Sequence, residues 1–522
     1  MSSLVYSKHP RGITYVYKNE SYWDKVEKKT KHKRTCIGKL DPVTNEIIPT
    51  RKKVAKVAKV EKTEVTDECT VTSIGPALIL DKAVRETGIG HALKLVFPED
   101  WDKILACAYF LVCENRALSH MEQWSQEYRT PYGKQMTSQR ISELLERITP
   151  SLQQTFFLQW IKSNHTKSNF AMDVTSVSSY SELIDFVRKG YNRDGETLEQ
   201  VNLLMITSEQ NKLPIYYRLY SGSINDVKTL KESFSTLELM RSKPLSVVMD
   251  KGFYSDKNID ELYANHYKFT VGVPFTCAFA REEVRKLKDK IVLPQNLLEI
   301  NTDNVFAYTE LIKWNGHRCY VHVYYDNLKQ ASDVQKFYVK LKDCYNELYE
   351  HKEDKRHQKF YDEYFIVKDH PKRGRQISYN DKASINYKDN IAGWFVMISN
   401  CIKDTKDALY IYRYKDVVEK NFDDLKNALD MKRLRMHSNK TMEGRIFLQF
   451  IALILFTYLR NYNEANSSKY KIPEIFSELN TYREVSVEGR RKKSRTTLSK
   501  ALREIFDLFH ISDKNLCMIT GI

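Results

Sequence analysis

Short runs of apolar residues alternate with polar segments through the middle of the chain and predict β-strands. The runs cover residues 169–174, 203–207, 215–220, 245–249 and 269–273. Each run has the length of a buried strand, about 4–8 residues. A helix-like segment at 226–240 precedes the fourth run. The pattern therefore predicts an α/β fold built on a mixed sheet with helices.

Two aspartates stand in or directly after these runs. Asp173 lies inside the first run, and Asp250 directly follows the fourth. A carboxylate at the end of a buried strand is costly unless it has a partner. Carboxylates that meet can share that cost by binding divalent cations, and oxygen ligands favour Mg²⁺ or Mn²⁺. We therefore predict that both aspartates are metal ligands.

A third acidic residue, Glu419, lies in an ordered polar stripe. Tyr412, Lys415, Glu419 and Lys426 are spaced by three, four and seven residues. At about 100° per residue, their side chains fall within an arc of roughly 60° on a helix. A separate apolar stripe that begins at Ile411 lies beside them. The spacing predicts one helix that packs on a core and presents a tyrosine, two lysines and a carboxylate.

The chain carries an excess of positive charge. Its 522 residues include 83 lysines and arginines against 67 aspartates and glutamates, which gives a net charge of +16. A basic surface favours polyanionic partners through phosphate contacts and counterion release. Acidic metal ligands inside a basic protein are consistent with a substrate that is itself a polyanion.

Cysteine spacing and hydropathy argue against several classes of protein. The nine cysteines are scattered and include no C-x-x-C pair, which argues against a zinc knuckle and a disulfide framework. Residues 1–12 lack the apolar segment of a signal peptide. The longest apolar stretch, 446–459, is too short to span a bilayer and is interrupted by Gln449. We expect a cytoplasmic protein with no membrane partner.

The chain before the strands divides into two regions. Residues 1–70 combine strand and turn signals with many lysines, and fit either a solvated linker or a DNA-backbone contact. Residues 71–165 are predicted to be helical, with a helix N-terminus near Thr137. Gln139 and Arg140 lie near the start of that helix, which is either a recognition helix or an ordinary amphipathic packing helix.

The interval between Asp250 and Glu419 is 169 residues, far more than a connecting loop requires. We therefore predict a core in two parts, 166–275 and 389–465, separated by an insertion at 276–388. The elements predicted for the insertion are a hairpin around Asn315-Gly316, a helix at 330–351 and a strand at 375–387.

The last segment, 466–522, is basic and contains an amphipathic helix at 498–509. Its basic residues include Arg490, Arg491 and Lys492. The segment fits dimer contacts, DNA binding or neither.

The polar stripe resembles a known signature. The spacing Y-x2-K-x3-E-x6-K from Tyr412 resembles the YREK signature of bacterial insertion-sequence transposases, which belong to the DDE superfamily. The sequences MDVTS around Asp173 and DKGFYS from Asp250 resemble the first and second aspartate motifs of that group. The sequence FLQFIAL from Phe447 resembles the helix that follows the glutamate in these proteins. The family usually has arginine where this chain has Lys415.

The resemblance covers about residues 165–465 and implies a ribonuclease-H-like catalytic core. In that core Asp173, Asp250 and Glu419 would hold Mg²⁺ or Mn²⁺, with Asp173 shared between two ions. The resemblance also implies a β-rich insertion that contacts transposon-end DNA. An N-terminal β/helical region would contribute further DNA binding.

The resemblance assigns further residues to DNA. Tyr412, Lys415 and Lys426 would hold the phosphates beside the scissile bond, and lysine in place of arginine loses the bidentate grip on phosphate. Trp394 matches either a tryptophan that stacks on an extruded base or a plain core residue.

The implied reaction is metal-dependent cleavage at terminal inverted repeats, followed by attack of the freed 3′-hydroxyl on target DNA. A cut-and-paste route is expected. The implied partners are double-stranded DNA and a second copy of the chain in a synaptic complex, in the bacterial cytoplasm beside the nucleoid. Two other functions stay open: a ribonuclease-H-like nuclease without strand transfer, and a non-catalytic DNA-binding protein descended from a transposase.

Overall fold

The computed structural model describes most of the chain. The described residues are 2–9, 13–24, 29–42, 44–49, 69–164, 169–181, 184–190, 192, 196, 198–223, 246–300, 303–370, 374–434, 436, 438–487 and 493–511. Two compact units are present: Met1–Cys69 with Val487–Gly489, and Thr70–Ser486 with Arg490–Ile522. The predictions that fall outside the described residues are the helix at 226–240 and the basic residues at 51–62 and 490–492.

The first unit contains an antiparallel sheet. Its strands are β1 (Ser2–Lys8), β2 (Thr14–Asp24), β3 (Lys29–Leu40) and β4 (Ile47–Ile48). They pair in sequence order. Val16 of β2 is buried, whereas most of β3 is exposed, including Lys33 and Arg34. The sheet therefore presents basic side chains to solvent.

Strand β5 (Cys69–Ser73) leads into a helical region. Its helices are α1 (Gly75–Thr87), α2 (Ile89–Val96), α3 (Trp101–Cys113), α4 (Met121–Glu127), α5 (Ser138–Arg147) and α6 (Pro150–Asn164). Helix α5 begins where the sequence predicts, because the Thr137 side chain accepts a hydrogen bond from the N–H of Arg140. Ile141, Leu144 and Leu145 form its buried face.

Within the described residues, ten strands form one mixed sheet. They are β6 (Asn169–Ser179), β7 (Gln200–Ser208), β8 (Pro214–Ser221), β9 (Ser246–Met249), β10 (Lys268–Val273), β11 (Leu297–Ile300), β12 (Asp303–Trp314), β13 (His317–Asp326), β16 (Trp394–Ser399) and β17 (Arg433–Leu434). Their order is β11-β12-β13-β16-β10-β9-β6-β7-β8, with β17 beside β6. The five predicted strands are β6 to β10, and the mixed α/β fold is confirmed.

The parallel and antiparallel pairs have a defined arrangement. Strand β9 pairs in parallel with both β6 and β10. The neighbours on either side, β7 beside β6 and β16 beside β10, are antiparallel. Strands β6 and β7 are buried along almost their whole length, which requires cover on both faces of the sheet.

Helices cover the faces of the sheet. The helices described after β9 in the sequence are α7 (Asp256–Ala264), α8 (Ala278–Leu287), α9 (Asn327–Tyr349), α10 (Gln358–Tyr364), α11 (Asp381–Asn390), α12 (Thr405–Arg413), α13 (Asp416–Asp423), α14 (Asn439–Ala465), α15 (Ile472–Leu479) and α16 (Lys500–Leu508). Helix α13 contacts β6 and β7, while α6 and α14 contact β8. Among the described residues α14 is the one helix long and apolar enough to cross a membrane, and 83% of its most apolar window is buried inside the protein. It therefore serves as a core helix.

The segment 276–388 differs from the predicted β-rich insertion. Strands β11 to β13 extend the main sheet, because β13 pairs with β16. The predicted hairpin turn is present, with φ of 45° at Asn315 and 87° at Gly316. Positive φ at both central residues is typical of a type I′ turn.

The rest of that segment is mostly helical. Helices α9, α10 and α11 surround a hairpin of β14 (Phe365–His370) and β15 (Gly374–Tyr379). The helix predicted at 330–351 is α9. The strand predicted at 375–387 is wrong beyond Tyr379, because the Asn380 side chain caps α11 by accepting a hydrogen bond from the N–H of Ala383.

The C-terminal segment adds a small sheet. Strands β18 (Arg483–Val487) and β19 (Ser494–Arg495) pair with each other, and the sheet order is β19-β18-β5. Lys493 and Arg495 both form ion pairs with Glu484. The predicted amphipathic helix is present as α16.

Candidate active site

Asp173 and Asp250 are brought together by the register of two parallel strands. Met172 of β6 pairs with Met249 of β9, and each aspartate is the next residue along its strand. Adjacent strands lie about 4.8 Å apart. The backbones of two aspartates that are 77 positions apart in the sequence are thus neighbours where β9 ends in the central sheet.

Asp173 is the more buried of the two aspartates. It is 6% exposed, and its Oδ1 accepts a hydrogen bond from the N–H of Val174 at 2.7 Å. Its backbone pairs with Met205 of β7, while the pairing of β6 with β9 ends one residue earlier, at Met172. Asp173 therefore lies where β9 ends, with its backbone held by β7.

Asp250 lies at the mouth of the site and is tied to the polar stripe. Its Oδ1 accepts a hydrogen bond from the Tyr412 hydroxyl at 3.2 Å and lies 3.4 Å from the Lys415 ammonium. Burial raises the pKa of Asp250, but Lys415 and the backbone N–H of Lys251 outweigh it, and the net pKa is lowered. Asp250 is therefore anionic.

Glu419 joins the same cluster through Lys415. The Lys415 ammonium lies 2.8 Å from Glu419 Oε1, while it also contacts Asp250. Burial lowers the pKa of Lys415, but the two carboxylates overcome this effect and raise the pKa above its ordinary value. One cation thus holds two of the three predicted acidic residues.

The polar stripe does not lie on one regular helix, so that prediction is wrong. Tyr412 belongs to α12, whereas Lys415 directly precedes α13. The break has a visible anchor: the buried Tyr414 hydroxyl donates a hydrogen bond to the backbone carbonyl of Ser208 on β7. A π-helical turn, Asp424–Ala428, then follows α13.

The π-helical turn changes the position of Lys426. One extra residue per turn rotates everything beyond it relative to an α-helix, by about 100° per residue. Lys426 lies within this turn and is not among the residues that line the cleft with Tyr412, Lys415 and Glu419. Its predicted contact with DNA phosphate stays a prediction.

A buried polar network holds α13 in place. Asn421 is fully buried and donates a hydrogen bond to Thr207 of β7 at 3.1 Å. Its carbonyl oxygen accepts hydrogen bonds from Thr457 at 3.2 Å and Arg460 at 3.0 Å on α14. Sequence analysis missed Asn421; its only signal was an amide placed between apolar residues of the helix.

The acidic cluster opens into a cleft of about 850 Å³. Asp250, Tyr412, Lys415 and Glu419 line it, together with Trp394 at the start of β16. Asp173, in β6, is not among the lining residues. Both acidic and basic side chains line the cleft.

Trp394 is largely covered in this structure. It is 4% exposed, and its ring lies 4.8 Å from the ring of Tyr325. A displaced base would reach the indole face only if Tyr325 moved. Its predicted stacking on a base stays a prediction, and the core packing that the sequence also allowed is what the structure contains.

Gln139 and Arg140 lie on the exposed side of α5, away from the residues that line the cleft. Gln139 donates a hydrogen bond to Glu143 at 2.9 Å, and Arg140 to the carbonyl of Gln135 at 2.7 Å. The opposite face of α5 packs against α14, where Gly444 meets Leu145. The helix therefore packs on the core and still presents both polar residues to solvent.

The Tyr412 hydroxyl packs closely against the backbone of Gly272. A Cβ placed on Gly272 of β10 would lie 2.4 Å from the Tyr412 hydroxyl oxygen. The absence of a side chain there lets the phenol reach Asp250. Sequence analysis gave no signal for this glycine.

The donor set fits a hard divalent cation. Asp173, Asp250 and Glu419 offer carboxylate oxygens, which Mg²⁺ and Mn²⁺ prefer. The position between Asp250 and Glu419 already accommodates a cationic group, the Lys415 ammonium. The residues that would bind the ion are therefore compatible with positive charge between them.

Comparison with known proteins gives a family. A family profile described as "Transposase DDE domain" matches residues 164–455, more than half of the chain. No curated protein sequence matches the chain. A cryo-EM structure of a piggyBac transposase synaptic complex with hairpin DNA is similar at 13% identity, with a TM-score of 0.38 over 73% of this chain and 70% of that one.

Proposed function

This chain belongs to the transposase DDE-domain family, and we propose that it cuts DNA at the ends of a mobile element and joins the freed 3′ ends to target DNA. The observation that carries the proposal is the convergence of the acidic residues. Asp173 and Asp250 are adjacent across β6 and β9, and Lys415 links Asp250 to Glu419.

Asp173, Asp250 and Glu419 would hold the divalent ions. Bound divalent ions activate a water or a 3′-hydroxyl and stabilise the leaving oxygen in an in-line phosphoryl displacement. The protein itself contributes by holding the three carboxylates in position. Asp173 is fixed by the sheet, Asp250 by Tyr412, and Glu419 by the packing of α13 through Asn421.

Lys415 would have a second role in the proposed reaction. Its ammonium, which contacts Asp250 and Glu419 here, would be available to contact a phosphate of the DNA strand. Tyr412 lies beside it, with the ammonium 5.5 Å from the ring centre. A single ammonium makes a point contact with phosphate, so this grip is less directional than that of an arginine.

Several finer assignments belong to the same proposal. The strand order β8-β7-β6-β9-β10, with β6, β9 and β10 parallel, supports a ribonuclease-H-like core. The stripe from Tyr412 to Glu419 supports the YREK group of bacterial insertion sequences and its cut-and-paste route. We propose that the regions 1–70 and 71–165 bind the DNA ends. A synaptic homodimer in the bacterial cytoplasm completes the proposal.

Neutral variants of the acidic residues test the function. Asp173→Asn, Asp250→Asn and Glu419→Gln should each abolish cleavage of a DNA carrying the inverted repeats that flank the gene, while binding of that DNA survives. Glu282→Gln is the matched control, because Glu282 is an exposed carboxylate on α8 that does not line the cleft. Full cleavage by any of the three variants would remove that residue from the site.

A second assay separates a transposase from a nuclease. Pre-cleaved ends are mixed with the wild-type protein, Mg²⁺ and a supercoiled target. Covalent joining of the ends supports strand transfer. Cleavage of intact ends without any joining would instead make the protein a nuclease on the same core.

A further inference from the structure

A second cluster of metal-binding side chains lies in the helical part of the segment 276–388. Cys344 and Glu347 are on α9, and His357 ends the short 3₁₀ turn Lys355–His357. One ligand atom from each of the three lies within 4.8 Å of the other two. None of them lines the cleft of the candidate active site.

Local geometry explains why these three side chains meet. Cys344 and Glu347 are three residues apart on α9 and therefore share one helix face. After α9 ends, the Asp354 side chain caps the 3₁₀ turn by accepting a hydrogen bond from the N–H of Arg356. Helix α10 then packs back, with Tyr361 and Tyr364 in the same apolar cluster as Cys344. This return places His357 over the face that carries the thiol and the carboxylate.

The carboxylate of Glu347 is the centre of the cluster. His357 Nδ1 lies 2.9 Å from Glu347 Oε2, and the Tyr361 hydroxyl donates a hydrogen bond to the same oxygen. The Cys344 sulfur lies within 4.8 Å of a Glu347 carboxylate oxygen. A thiol, an imidazole and a phenol, each able to carry a proton, thus converge on one carboxylate.

We propose that Cys344, Glu347 and His357 bind a Zn²⁺ ion. Sulfur, imidazole nitrogen and carboxylate oxygen are the three ligand types that zinc takes in proteins, whereas Mg²⁺ takes oxygen and avoids thiolate. Binding replaces the thiol proton of Cys344, which is released to solvent, and leaves the imidazole proton on Nε2. The contacts seen between these side chains are those of the metal-free cluster.

A water molecule can supply the fourth zinc ligand, because one side of the cluster is open to solvent. The thiol is buried, but the side chains of Glu347 and His357 are 28% and 31% exposed. Water can therefore reach the open side of the cluster and complete a tetrahedral site. Tyr361 stays hydrogen-bonded to Glu347 and fixes the orientation of its carboxylate, as partners of metal ligands commonly do.

The ion would tie the last turns of α9 to the turn that begins α10. The helical part of 276–388 has its own small apolar cluster, in which Phe337, Leu341 and Leu348 are buried. A metal that crosslinks two of its elements stabilises so small a core. The three residues have the spacing C-x2-E-x9-H, with a single cysteine. The zinc site therefore lacks the C-x-x-C pair by which zinc sites are usually recognised in a sequence.

Cobalt substitution of the full-length protein tests the proposal. The chelator-treated protein is titrated with Co²⁺, which gives a sulfur-to-cobalt charge-transfer band only where a thiolate binds the metal. We expect this band in the wild type and its loss in Cys344→Ser, while Cys319→Ser, another buried cysteine, keeps it. Addition of Zn²⁺ should displace the cobalt and remove the band.

Further variants separate this site from the carboxylates of the cleft. The band should persist in Asp250→Asn and Glu419→Gln, because the thiolate lies elsewhere. Tyr361→Phe keeps the three ligands and should weaken Zn²⁺ binding roughly tenfold. Zinc should raise the unfolding temperature of the wild type but not of Cys344→Ser.

Two outcomes would overturn the zinc site. One is a wild-type protein with no charge-transfer band. The other is equal zinc content, by elemental analysis, in the wild type, Cys344→Ser and His357→Gln. The cluster would then be a hydrogen-bonded group only. The DNA cleavage assay is unaffected by either outcome, so the proposed function is judged separately.

Discussion

Lys415 and Asp250 form an ion pair at the mouth of the cleft, with 3.4 Å between Nζ and Oδ1. The same ammonium lies 2.8 Å from Glu419. In the metal-free protein, Lys415 therefore supplies the positive charge that two clustered carboxylates require. If the proposed divalent cation binds here, it would compete with the Lys415 ammonium for both carboxylates.

Removing the charge of Lys415 should tighten metal binding. Lys415→Met keeps much of the side-chain length but leaves Asp250 and Glu419 without their cation. We expect the affinity of the DNA-free protein for Mn²⁺ to rise on the order of tenfold, as the metal no longer displaces an ammonium. Calorimetric titration measures this change. Weaker binding by the variant would contradict the competition.

The conservative variant of Lys415 gives the control. Lys415→Arg keeps the positive charge and adds the planar fork that binds phosphate in two places. Mn²⁺ affinity should stay close to the wild-type value, and cleavage of DNA ends should be preserved or raised. A large loss of cleavage would show that the position does not serve the role the family suggests.

Gly272→Ala should damage the site through Tyr412. The added Cβ would lie 2.4 Å from the phenol oxygen, so the side chain must turn away and lose its hydrogen bond to Asp250. Tyr412→Phe removes the same bond directly. Each change should lower the rate of end cleavage roughly tenfold, the effect of losing one hydrogen bond to a charged group.

The double variant Gly272→Ala/Tyr412→Phe checks that explanation. If both changes act on the hydrogen bond to Asp250, the combined loss is smaller than the product of the single losses. Independent, multiplicative losses, measured in the same cleavage assay, would mean that Gly272 acts on a different part of the site.

Asn421→Ala should destabilise the attachment of Glu419 without touching the cleft. The change removes the buried amide to which Thr207, Thr457 and Arg460 are all hydrogen-bonded. We expect a loss of about 1–3 kcal/mol in the free energy of unfolding, measured by urea denaturation. Cleavage should fall while DNA binding is unchanged.

Asn427→Ala is the matched control for that change. Asn427 is exposed and donates its hydrogen bond to Asp423 at the surface, so its removal should alter the free energy of unfolding by less than about 0.5 kcal/mol. An equal loss of unfolding free energy in the two variants would mean that the buried network stabilises the protein no more than a surface hydrogen bond does.

His322 should make folding stability depend on pH. Burial lowers the pKa of His322 to about 4, although hydrogen bonding to the Ile402 carbonyl and the charge of Asp404 act in the opposite direction. The unfolded chain has the ordinary pKa of about 6.5 and so binds the proton more readily between these values. The contribution of His322 is complete above pH 6.5 and is lost as pH falls to about 4, on the order of 3 kcal/mol in all.

The variant His322→Gln removes that titration. Urea denaturation at several pH values between 7 and 4 should show a shallower decline in stability for the variant than for the wild type. The Asp and Glu residues titrate alike in both proteins, so the difference isolates the histidine. Parallel declines would exclude a buried, neutral His322 as the cause.

The strands of the core could be predicted because burial on both faces leaves a signal in the sequence. β6 to β10 are apolar runs of the expected length, and their parallel pairing puts Asp173 beside Asp250. The hairpin at Asn315-Gly316 was equally visible, since few residue pairs adopt positive φ twice in succession.

Other features left no such signal. The predicted helix is interrupted at Tyr414, where the Tyr414 hydroxyl donates a hydrogen bond to the backbone carbonyl of Ser208 on β7. Helical periodicity describes a single element and does not report such a partner. The segment 276–388 differs from the predicted β-rich insertion for a related reason: its strands β11 to β13 belong to a sheet whose other strands lie far away in the sequence.

Strand β16 pairs with β10 in the main sheet, although more than 100 residues separate the two strands in the sequence. Helices α12 and α13 follow β16 in the sequence. During synthesis the two aspartates therefore emerge long before the residues that complete their surroundings. A nascent or prematurely terminated chain that ends before Lys415 lacks both the third carboxylate and its lysine. Such fragments would lack part of the proposed site, so the proposed cleavage would have to wait for the synthesis of α13.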